Sequence, residues 1–406
     1  MSSSSQATTV PDDPWFGVDP HDREETRDDP YPALNRVREL HPVHRTPLGY
    51  YRVFRFADVM RLLREAKVGV RTTTGVYPGV DESQMPRLFM LQQDPPNHTR
   101  LRRLVSRAFT PPAIERLRPR VQAHVDVLID RALEAGQLDI IEDLAQPVPS
   151  TMICEMLGVP LADRALFIDW TAHVTHLLQP RFMSAAQRER AVSAIGQLWS
   201  YFTNLIAERK QQLGDDMLSA LIRAEEAGDQ LSPQELVVQA IGLLIAGFET
   251  TIGLIGNGVR ALLMHPEELA KLRAQPALIG RAVEECLRFD GPIAGTLRVV
   301  HEDVEIGGVV IPKDTQVMAS IFAAHRDPRV FHEPDRFSIE RDYTAHLAFG
   351  GGIHFCLGAH LARMEAQIAI GSLVRRVPKL ELVDAPLTWS PSMFRVLARL
   401  PVRAGA

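Results

Sequence analysis

Cys356, near the C-terminus, directly follows a glycine-rich run that also contains a histidine; residues 349–358 read FGGGIHFCLG. Glycine adopts positive φ values and has no side chain, so such a run can form a tight loop whose main chain approaches a flat ligand closely. Apolar spacing then predicts a helix from Leu357 to Arg376. A thiol at a helix start meets unsatisfied N–H groups and the positive end of the dipole, which favour the metal-binding thiolate. The alternative is a buried structural cysteine.

Glu249 and Thr250 are adjacent in the middle of the longest predicted helix, which extends over residues 232–265. Ser232 and Glu235 form a capping-box pattern, with proline at the first helical position. A membrane span is one interpretation, because Glu249 is the only charged residue in the apolar part. Polar residues along the segment, and the lack of a second such segment, favour a buried central helix. There a carboxylate beside a hydroxyl can pass protons; a helix kink with a surface glutamate is the alternative.

His98 and Arg102 lie four residues apart on one face of a predicted helix that starts after two prolines. Both side chains can reach one carboxylate, and a buried anion needs such partners. Taken singly, each residue is better explained as a solvated surface residue.

The spacing Phe-x-x-Gly-x-His-x-Cys-x-Gly around Cys356 resembles the haem-ligand loop of the cytochrome P-450 family, the haem-thiolate monooxygenases. The resemblance extends from about Tyr31 to Val402 and implies haem b, iron protoporphyrin IX, as cofactor. Cys356 would be the axial ligand of the haem iron. Glu249 and Thr250 would be the acid and the alcohol of the oxygen-activating helix. The resemblance also implies the cofactor-binding residues that hold the haem propionates: His98, Arg102, Arg298 and His354.

A Glu-x-x-Arg pattern, Glu285 and Arg288, lies between the central helix and the cysteine loop. Alone it is a weak signal, since many exposed helices carry such a pair. In this order it resembles the buried ion-pair helix of the family, with Arg336 at the position of the second arginine. Its implied role is structural.

The order of elements predicts a mainly α protein with a small β portion, an α+β class, and the resemblance implies the cytochrome P-450 fold with a long central helix over a buried haem. Alternating residues predict a hairpin over residues 43–53, strands over 304–321 and a final β stretch over 380–402. Residues 1–25 are predicted to be a disordered tail. Residues 26–406 are predicted to form a single haem-thiolate monooxygenase domain, since no linker divides them.

Composition sets outer limits on function. The 406-residue chain is 45% hydrophobic and has a net charge of −5, so it can bury a large core and gives no sign of nucleic-acid binding. The N-terminus lacks the features of a signal peptide, and the three cysteines are far apart, which indicates a reducing cytoplasm. Cys154 and Cys286 are expected in the core. A cytoplasmic monomer without a membrane anchor is expected.

The implied activity is insertion of one oxygen atom of O2 into a hydrophobic small molecule, by hydroxylation or epoxidation. The sequence has no nucleotide-binding glycine fingerprint and no cysteine cluster, so electrons are expected from a separate ferredoxin and its reductase. Arg100, Arg103 and Arg107 predict a basic docking patch, with a merely solvated face as the alternative. A hydrogen-peroxide-dependent peroxygenase and a non-catalytic haem-binding sensor are the rival functions, and the Glu249–Thr250 pair argues against both.

The candidate substrate pocket is mostly apolar, which predicts a hydrophobic ligand such as a fatty acid, terpenoid, steroid, polyketide or drug-like aromatic compound. Arg395 is its one candidate charge, and helices between Leu161 and Lys210 are predicted to form a mobile lid. The loop after Arg71 is expected to contribute as well. The candidate pocket residues are Leu244, Ala246, Phe248, Ile293, Ala294 and Phe394, with Thr296 and Met393 beside them.

Overall fold

The computed structural model describes residues 24–71, 89–175, 184–226, 228–342, 345–390 and 394–405. The helices are α1 (Tyr31–Leu40), α2 (Phe56–Arg64), α3 (Asn97–Ser106), α4 (Pro111–Glu115), α5 (Arg118–Ala135), α6 (Pro147–Met156), α7 (Arg164–Val174), α8 (Ala185–Gln211), α9 (Met217–Arg223), α10 (Pro233–Met264), α11 (Pro266–Ala274), α12 (Ile279–Asp290), α13 (Ile321–His325) and α14 (Ala359–Arg376). Most of the predicted tail, residues 1–23, lies outside the described residues.

The strands are short and come from distant parts of the chain. They are β1 (Val43–Arg45), β2 (Tyr51–Val53), β3 (Val68–Gly69), β4 (Gln137–Asp139), β5 (Glu225–Glu226), β6 (Asp229–Gln230), β7 (Gly295–Val300), β8 (Val304–Ile306), β9 (Val309–Ile311), β10 (Gln316–Ser320), β11 (Lys379–Leu382), β12 (Thr388–Trp389), β13 (Leu397–Arg399) and β14 (Pro401–Gly405). The predicted class, mainly α with a small β portion, is confirmed.

Two compact units make up the chain. The first comprises Met1–Val76 and Leu287–Cys356, and the second comprises Tyr77–Cys286 and Leu357–Ala406. The first unit contains a five-stranded sheet in the order β1-β2-β10-β7-β3 and the separate β8–β9 hairpin. The second unit contains most of the long helices and three small sheets, β11-β14-β4, β12-β13 and β5-β6.

The first unit confirms the predicted hairpin over residues 43–53 and contains a second, separate hairpin within the strands predicted over residues 304–321. β1 pairs antiparallel with β2, with Val43 opposite Val53. The turn between β8 and β9 has Gly307 and Gly308 at φ of 57° and 81°, as a two-residue turn with both residues left-handed requires. β10 pairs parallel with β2 and antiparallel with β7. Buried valines on these strands and on α2 form one core, which holds β7 in place.

The central helix of the second unit, α10, starts as the sequence predicts. Ser232 and Glu235 form a complete capping box, and a proline occupies the first turn. By length and composition α10 is apolar enough to cross a membrane, because its most apolar 18-residue window has a mean hydropathy of 1.7. However, 72% of this 18-residue window is buried inside the protein. Its apolar residues therefore pack against other helices of the unit, as expected of a core helix.

The Glu-x-x-Arg pattern is only partly confirmed. Arg288 is buried, and its guanidinium donates to three carbonyls, those of His325 at 2.9 Å, Pro334 at 2.8 Å and Arg336 at 3.2 Å. The side chain of Arg336 is 58% exposed and pairs with Glu333. Arg336 therefore contributes its carbonyl rather than a buried cation, and the predicted role of its guanidinium is wrong.

Arg326 is a buried cation that the sequence analysis did not identify. Its guanidinium lies 3.9 Å from the ring centre of Tyr31 and 4.0 Å from that of Phe289. It also donates to the carbonyl of Phe289 at 2.8 Å and to Asp335 at 3.0 Å. A third acceptor is the carbonyl of Pro334 at 3.3 Å. Two aromatic faces and three acceptors stabilise the charge in the first unit, although burial lowers the pKa of Arg326.

An aromatic cluster joins α7 and α8, which belong to the predicted lid. The ring of Phe167 meets that of Tyr201 edge-on at 4.9 Å and that of Phe202 at 5.7 Å. The hydroxyl of Tyr201 donates to Asp163 at 2.6 Å. These contacts make α7 and α8 a packed pair, so a lid movement would have to carry both helices together. Lid mobility itself stays a prediction.

Glu365 on α14 is 2% exposed, and burial raises its pKa to about 8 from an ordinary value of 4.5. Between these values the native state holds one proton more than the unfolded state. The free energy of unfolding therefore falls as the pH rises through this window, by about 1.4 kcal/mol per pH unit. We expect Glu365→Gln to remove this slope, so that thermal unfolding temperatures of wild type and variant diverge in the variant's favour between about pH 5 and about pH 8.

The matched control is Glu134→Gln, which removes an exposed carboxylate from α5. This control should keep the pH dependence of the wild type. If the unfolding temperatures of the wild type and of Glu365→Gln changed with pH in parallel, the pH dependence could not be assigned to Glu365.

Candidate active site

The glycine-rich loop closes on itself ahead of Cys356. The N–H of Gly350 donates to the carbonyl of Leu347 at 2.8 Å, and that of Cys356 donates to the carbonyl of Phe349 at 2.9 Å. A short 3-10 turn, Gly352–His354, lies between these bonds. Main-chain hydrogen bonds thus fix the backbone at Cys356 itself, which is what a ligand position requires.

Gly352 allows the loop to lie directly against the end of α2. Its φ is 65°, in the left-handed region. A Cβ added there would lie 2.2 Å from the carbonyl oxygen of Leu63, which no side chain can tolerate. Glycine at this position therefore serves both the turn and the close contact with α2.

Cys356 is exposed, whereas Cys154 and Cys286 are buried as expected. Burial raises the pKa of Cys154 to about 11, so that this thiol stays protonated. α14 begins at Ala359, so Cys356 precedes the helix by three residues and does not start it as the sequence analysis predicts. The accessible thiol is the one that follows the glycine loop.

Two further candidate haem contacts belong to the first unit. Arg298 lies on β7 and is 7% exposed; its Nη1 donates to the hydroxyl of Thr296 and to the carbonyl of Leu297, both at 2.8 Å. The hydroxyl of Thr296 therefore orients the guanidinium of Arg298, so Thr296 supports this candidate haem contact. His354 is half-buried and ends the 3-10 turn of the cysteine loop.

In the second unit, α3 carries His98 and Arg102 one helical turn apart, which confirms the predicted helix. His98 is 2% exposed, and Arg102 is half-buried. Arg100, between them in sequence, pairs with Asp229 at 3.1 Å and with Glu235. Glu235 also accepts from the N–H of Ser232 in the cap of α10, so Arg100 ties α3 to the start of α10.

The burial of α10 is interrupted at its middle. Residues 235–244 and 251–259 are buried, but between them only Phe248 is. Ala246 is exposed, and Glu249 and Thr250 are half-buried. The hydroxyl of Thr250 donates to the carbonyl of Ala246 at 2.9 Å. Glu249 and Thr250 therefore lie at one partly accessible place along an otherwise buried helix, although one carboxylate oxygen of Glu249 is buried. Ile245, which the sequence analysis did not single out, lies there as well.

Leu244 and Phe248, by contrast, are buried at 2% and 7% exposure. Both line a small cavity within the second unit whose remaining walls come from α6 and α7, including Ile153, Phe167 and Thr171. Along a helix, positions 244 and 248 share a face that differs from that of 246 and 250. Leu244 and Phe248 therefore line this cavity, and their contact with a substrate stays a prediction, while Ala246 lies beside Glu249 and Thr250.

The other pocket candidates come from both units. Ala294 is 8% exposed and packs in a core cluster with Phe54 and Phe322, so it offers little surface to a ligand. Ile293 and Phe394 are half-buried. The residues 72–88 and Met393 lie outside the described residues.

Arg395 is packed as part of the fold. It is 3% exposed, and its guanidinium lies 4.0 Å from the ring centre of Trp389. Its carbonyl accepts a hydrogen bond from Asn257 of α10 at 2.8 Å. We therefore infer that Arg395 helps to attach the segment between β12 and β13 to α10. We do not expect its charged side chain to contact the substrate.

The donor set fits an iron porphyrin. A thiolate is a strong ligand of haem iron, and the histidines and arginines are the donors that propionates need. Within the described ranges, no group of three or more His, Cys, Asp and Glu side chains could hold a metal ion. The exposed thiol of Cys356 offers one sulfur ligand, which suits a metal that arrives with most of its ligands, as iron in a porphyrin does.

The sequence analysis missed His325 and His346, which contact the start of the cysteine loop. Ring nitrogens of these two residues accept the N–H groups of Leu347 and Ala348. A histidine next to an Arg-Asp pair, as in residues 325–327, gives no sequence signal that would connect it with a loop twenty residues later.

Comparisons with known proteins agree with this geometry. The cytochrome P-450 family model matches residues 72–383. The chain is 43% identical to the cytochrome P-450 monooxygenase PikC of Streptomyces venezuelae, over 92% of this chain and 91% of that protein. It is 40% identical to the vitamin D(3) 25-hydroxylase of Pseudonocardia autotrophica, over 93% and 94% of the two chains.

Solved structures give the same result for the fold. P-450 BioI, in complex with an acyl carrier protein ligated to hexadec-9Z-enoic acid, superposes with a TM-score of 0.88 at 38% identity and covers 94% of this chain and 99% of its own. The sequence match, the shared fold and the thiol loop lead to one conclusion: this chain belongs to the cytochrome P-450 family.

Proposed function

We propose that this cytochrome P-450 monooxygenase inserts one oxygen atom of O2 into a hydrophobic small molecule, by hydroxylation or epoxidation, with electrons from a ferredoxin and its reductase. The observation that carries the proposal is the accessible stretch of α10 at Glu249 and Thr250. A peroxygenase or a haem-binding sensor has no need of an acid and an alcohol there, so neither rival is favoured.

The haem b cofactor, when bound, supplies the oxygen-activating chemistry. The chain's own residues have three tasks around it. Cys356 provides the anionic sulfur ligand, on a loop fixed by its own main-chain hydrogen bonds. The basic side chains would hold the propionates by charge-assisted hydrogen bonds: His98, Arg102, Arg298 and His354.

Glu249 and Thr250 are proposed to control protons. In this structure the Thr250 hydroxyl gives its proton to the carbonyl of Ala246 at 2.9 Å. Rotation of the hydroxyl, or a local loosening of the helix, would free that proton for a ligand or a water molecule. Glu249 is the next residue and half-buried, so it can resupply the hydroxyl through water.

The proposed substrate class is a hydrophobic small molecule. The accessible part of α10 presents Ile245 and Ala246, and Ile293 and Phe394 are half-buried apolar candidates. The names of relatives include a vitamin D(3) 25-hydroxylase and a 6-deoxyerythronolide B hydroxylase, and BioI is seen with a fatty acyl chain on a carrier protein. These names support apolar substrates without choosing one class.

The experiment that tests the proposal is a titration of the ferric protein with fatty acids, steroids, terpenoids, polyketides and acyl carrier proteins, followed by the Soret band. Ligands that shift the band are then turned over under labelled O2 with ferredoxin and reductase. Label in the product supports monooxygenation. Product that forms equally well from peroxide alone, without label from O2, would favour the peroxygenase instead.

The expected docking surface for ferredoxin is smaller than the sequence suggests. Arg100 is engaged with Asp229 and Glu235, so its charge is already compensated within the protein, and we leave it out of the proposed docking surface. Arg103 and Arg107 are exposed, although Arg103 Nη2 lies 3.9 Å from Asp229. We propose these two arginines as the contact for an acidic partner.

Charge reversal at Arg107, alone or with Arg103, is expected to slow reduction by ferredoxin by about tenfold at low salt and to weaken its salt dependence, because opposite charges accelerate association. Stopped-flow reduction at several ionic strengths measures this effect. Arg190→Glu, the same change at an exposed position of α8, is the control and should leave the rate unchanged. Equal rates for the wild type and the double reversal at low salt would contradict the docking proposal.

The remaining expectations concern state and location. None of the three cysteines forms a disulfide, which supports the proposal of a reducing compartment such as the cytoplasm. A monomer with residues 26–406 acting as one domain is the proposed state, and sedimentation of the haem-loaded chain tests it.

A further inference from the structure

His325, the last residue of α13, is buried beside the start of the cysteine loop at 1% exposure. Its ring meets the ring of His346 edge-on at 5.7 Å and that of Phe331 at 6.4 Å. All these residues belong to the first unit. A fully buried imidazole beside the proposed ligand loop requires a physical explanation.

The explanation is a pair of hydrogen bonds to consecutive amides. The N–H of Leu347 donates to Nε2 of His325 at 2.8 Å. The N–H of Ala348 donates to Nδ1 of His346 at 3.1 Å. A ring nitrogen that accepts a hydrogen bond carries no proton, so His325 is a neutral imidazole with its proton on Nδ1. We call these two histidines the imidazole clasp.

The clasp lies at the entrance of the loop that ends at Cys356. The carbonyl of Leu347 accepts the N–H of Gly350, and the carbonyl of Phe349 accepts that of Cys356. A series of ring contacts extends in the same direction, from His346 to Phe349 at 5.9 Å and from Phe349 to Phe355 at 6.3 Å. A displacement of the backbone at Leu347 and Ala348 would therefore also displace Phe355, the residue before Cys356.

Charges around His325 keep it an acceptor. Burial lowers its pKa well below the ordinary value, and His346, Arg288 and Arg326 act in the same direction. Arg288 also donates to the carbonyl of His325 at 2.9 Å, which holds the main chain of the same residue. A hydrogen bond to the backbone of Arg288 raises the pKa of His325, but burial and the neighbouring cations and imidazole outweigh it and keep the ring neutral.

We propose that His325, together with His346, is a positioning residue that fixes the entrance of the cysteine loop and thereby the place of the Cys356 thiolate. The inference rests on the proposed role of Cys356 as the haem ligand. It adds a part of the ligand site that lies on a different element, α13, and that acts through main-chain amides.

The test compares His325→Leu, which removes the acceptor, with His325→Gln, whose side-chain oxygen can replace Nε2. Hydrogen exchange at the Leu347 and Ala348 amides is measured in the haem-loaded protein, together with the absorption of the ferrous carbonyl complex. His325→Leu should accelerate exchange at Leu347 at least tenfold and reduce the thiolate-ligated fraction. His325→Gln should keep most of the amide protection at Leu347 and most of the thiolate-ligated fraction.

Phe331→Leu is the control for lost packing, because Phe331 contacts the His325 ring without accepting a loop amide. It should lower the unfolding temperature while the Leu347 amide stays protected. If His325→Leu does not fold, His346→Phe tests the other half of the clasp at a half-buried position. It should accelerate exchange at Ala348 while keeping the ring contacts.

Unchanged exchange at Leu347 in His325→Leu, or at Ala348 in His346→Phe, would overturn the proposal. A failure of the proposed ligand role gives a different result. In that case the amides would still exchange faster, but the carbonyl absorption would be the same in the wild type and in every clasp variant.

Discussion

The Cys356→Ala variant is expected to lose the absorption of a thiolate-ligated ferrous carbonyl complex and, with it, monooxygenase activity. The accessible thiol of Cys356 is at the end of a loop closed by main-chain bonds, and Cys154 and Cys286 are buried. No other cysteine can therefore take its place. The loss should exceed the roughly 10–100-fold effect that is common when only a residue outside the direct ligands of a metal is changed.

A second readout uses the haem-free chain and does not depend on turnover. A disulfide reagent should modify one thiol rapidly in the folded wild-type protein, because the other two are 1% and 2% exposed. Haem should protect this thiol, and Cys356→Ala should lack it. Cys286→Ala is the matched control, which should keep both the reactive thiol and the carbonyl absorption. Retention of the thiolate spectrum in Cys356→Ala would refute the assignment.

The cysteine loop could be predicted because its determinants are contiguous. The glycines, the histidine and the ligand all lie within ten residues, and the turn depends on the φ values that only glycine adopts easily. The capping box of α10 and the turn at Gly307-Gly308 were predictable for the same reason. Each signal is local and has one main structural solution.

The pocket could not be predicted with the same success, because the choice of helix face depends on packing partners. Leu244 and Phe248 are as apolar as Ile245 and Ala246, and the helical period separates these pairs without showing which pair meets a ligand. The packing of α6 and α7 on α10 decides the question. That packing depends on residues between 73 and 98 positions earlier in the sequence.

Charged residues were misjudged for a similar reason. Arg100 follows the pattern of an exposed basic residue, but its partners Asp229 and Glu235 lie more than a hundred residues further along the chain. Arg336 was expected to be buried, but it pairs with Glu333 at the surface. The sequence shows which residue carries a charge; the fold determines whether that charge is available to a partner.

The Thr250→Ala variant is expected to consume oxygen without a matching yield of product. Thr250 has a hydroxyl on the accessible part of α10, and in this structure it donates to the carbonyl of Ala246 at 2.9 Å. Without the hydroxyl, protons reach the site only by less ordered routes. Because a positioned proton donor contributes about 10²–10⁴-fold to a reaction, product formed per O2 consumed should fall at least about tenfold, with hydrogen peroxide released instead.

Two variants separate this effect from general damage to α10. Thr251→Ala removes the same group from the neighbouring residue, which is 3% exposed and lies on the buried side of the helix. It should lower stability while keeping the yield of product per O2. Thr250→Ser keeps the hydroxyl and should keep most of the coupling. If Thr250→Ala and Thr251→Ala gave the same yield of product per O2 consumed, the accessible stretch of α10 would serve only to admit the substrate. The proton route would then have to be sought among other residues.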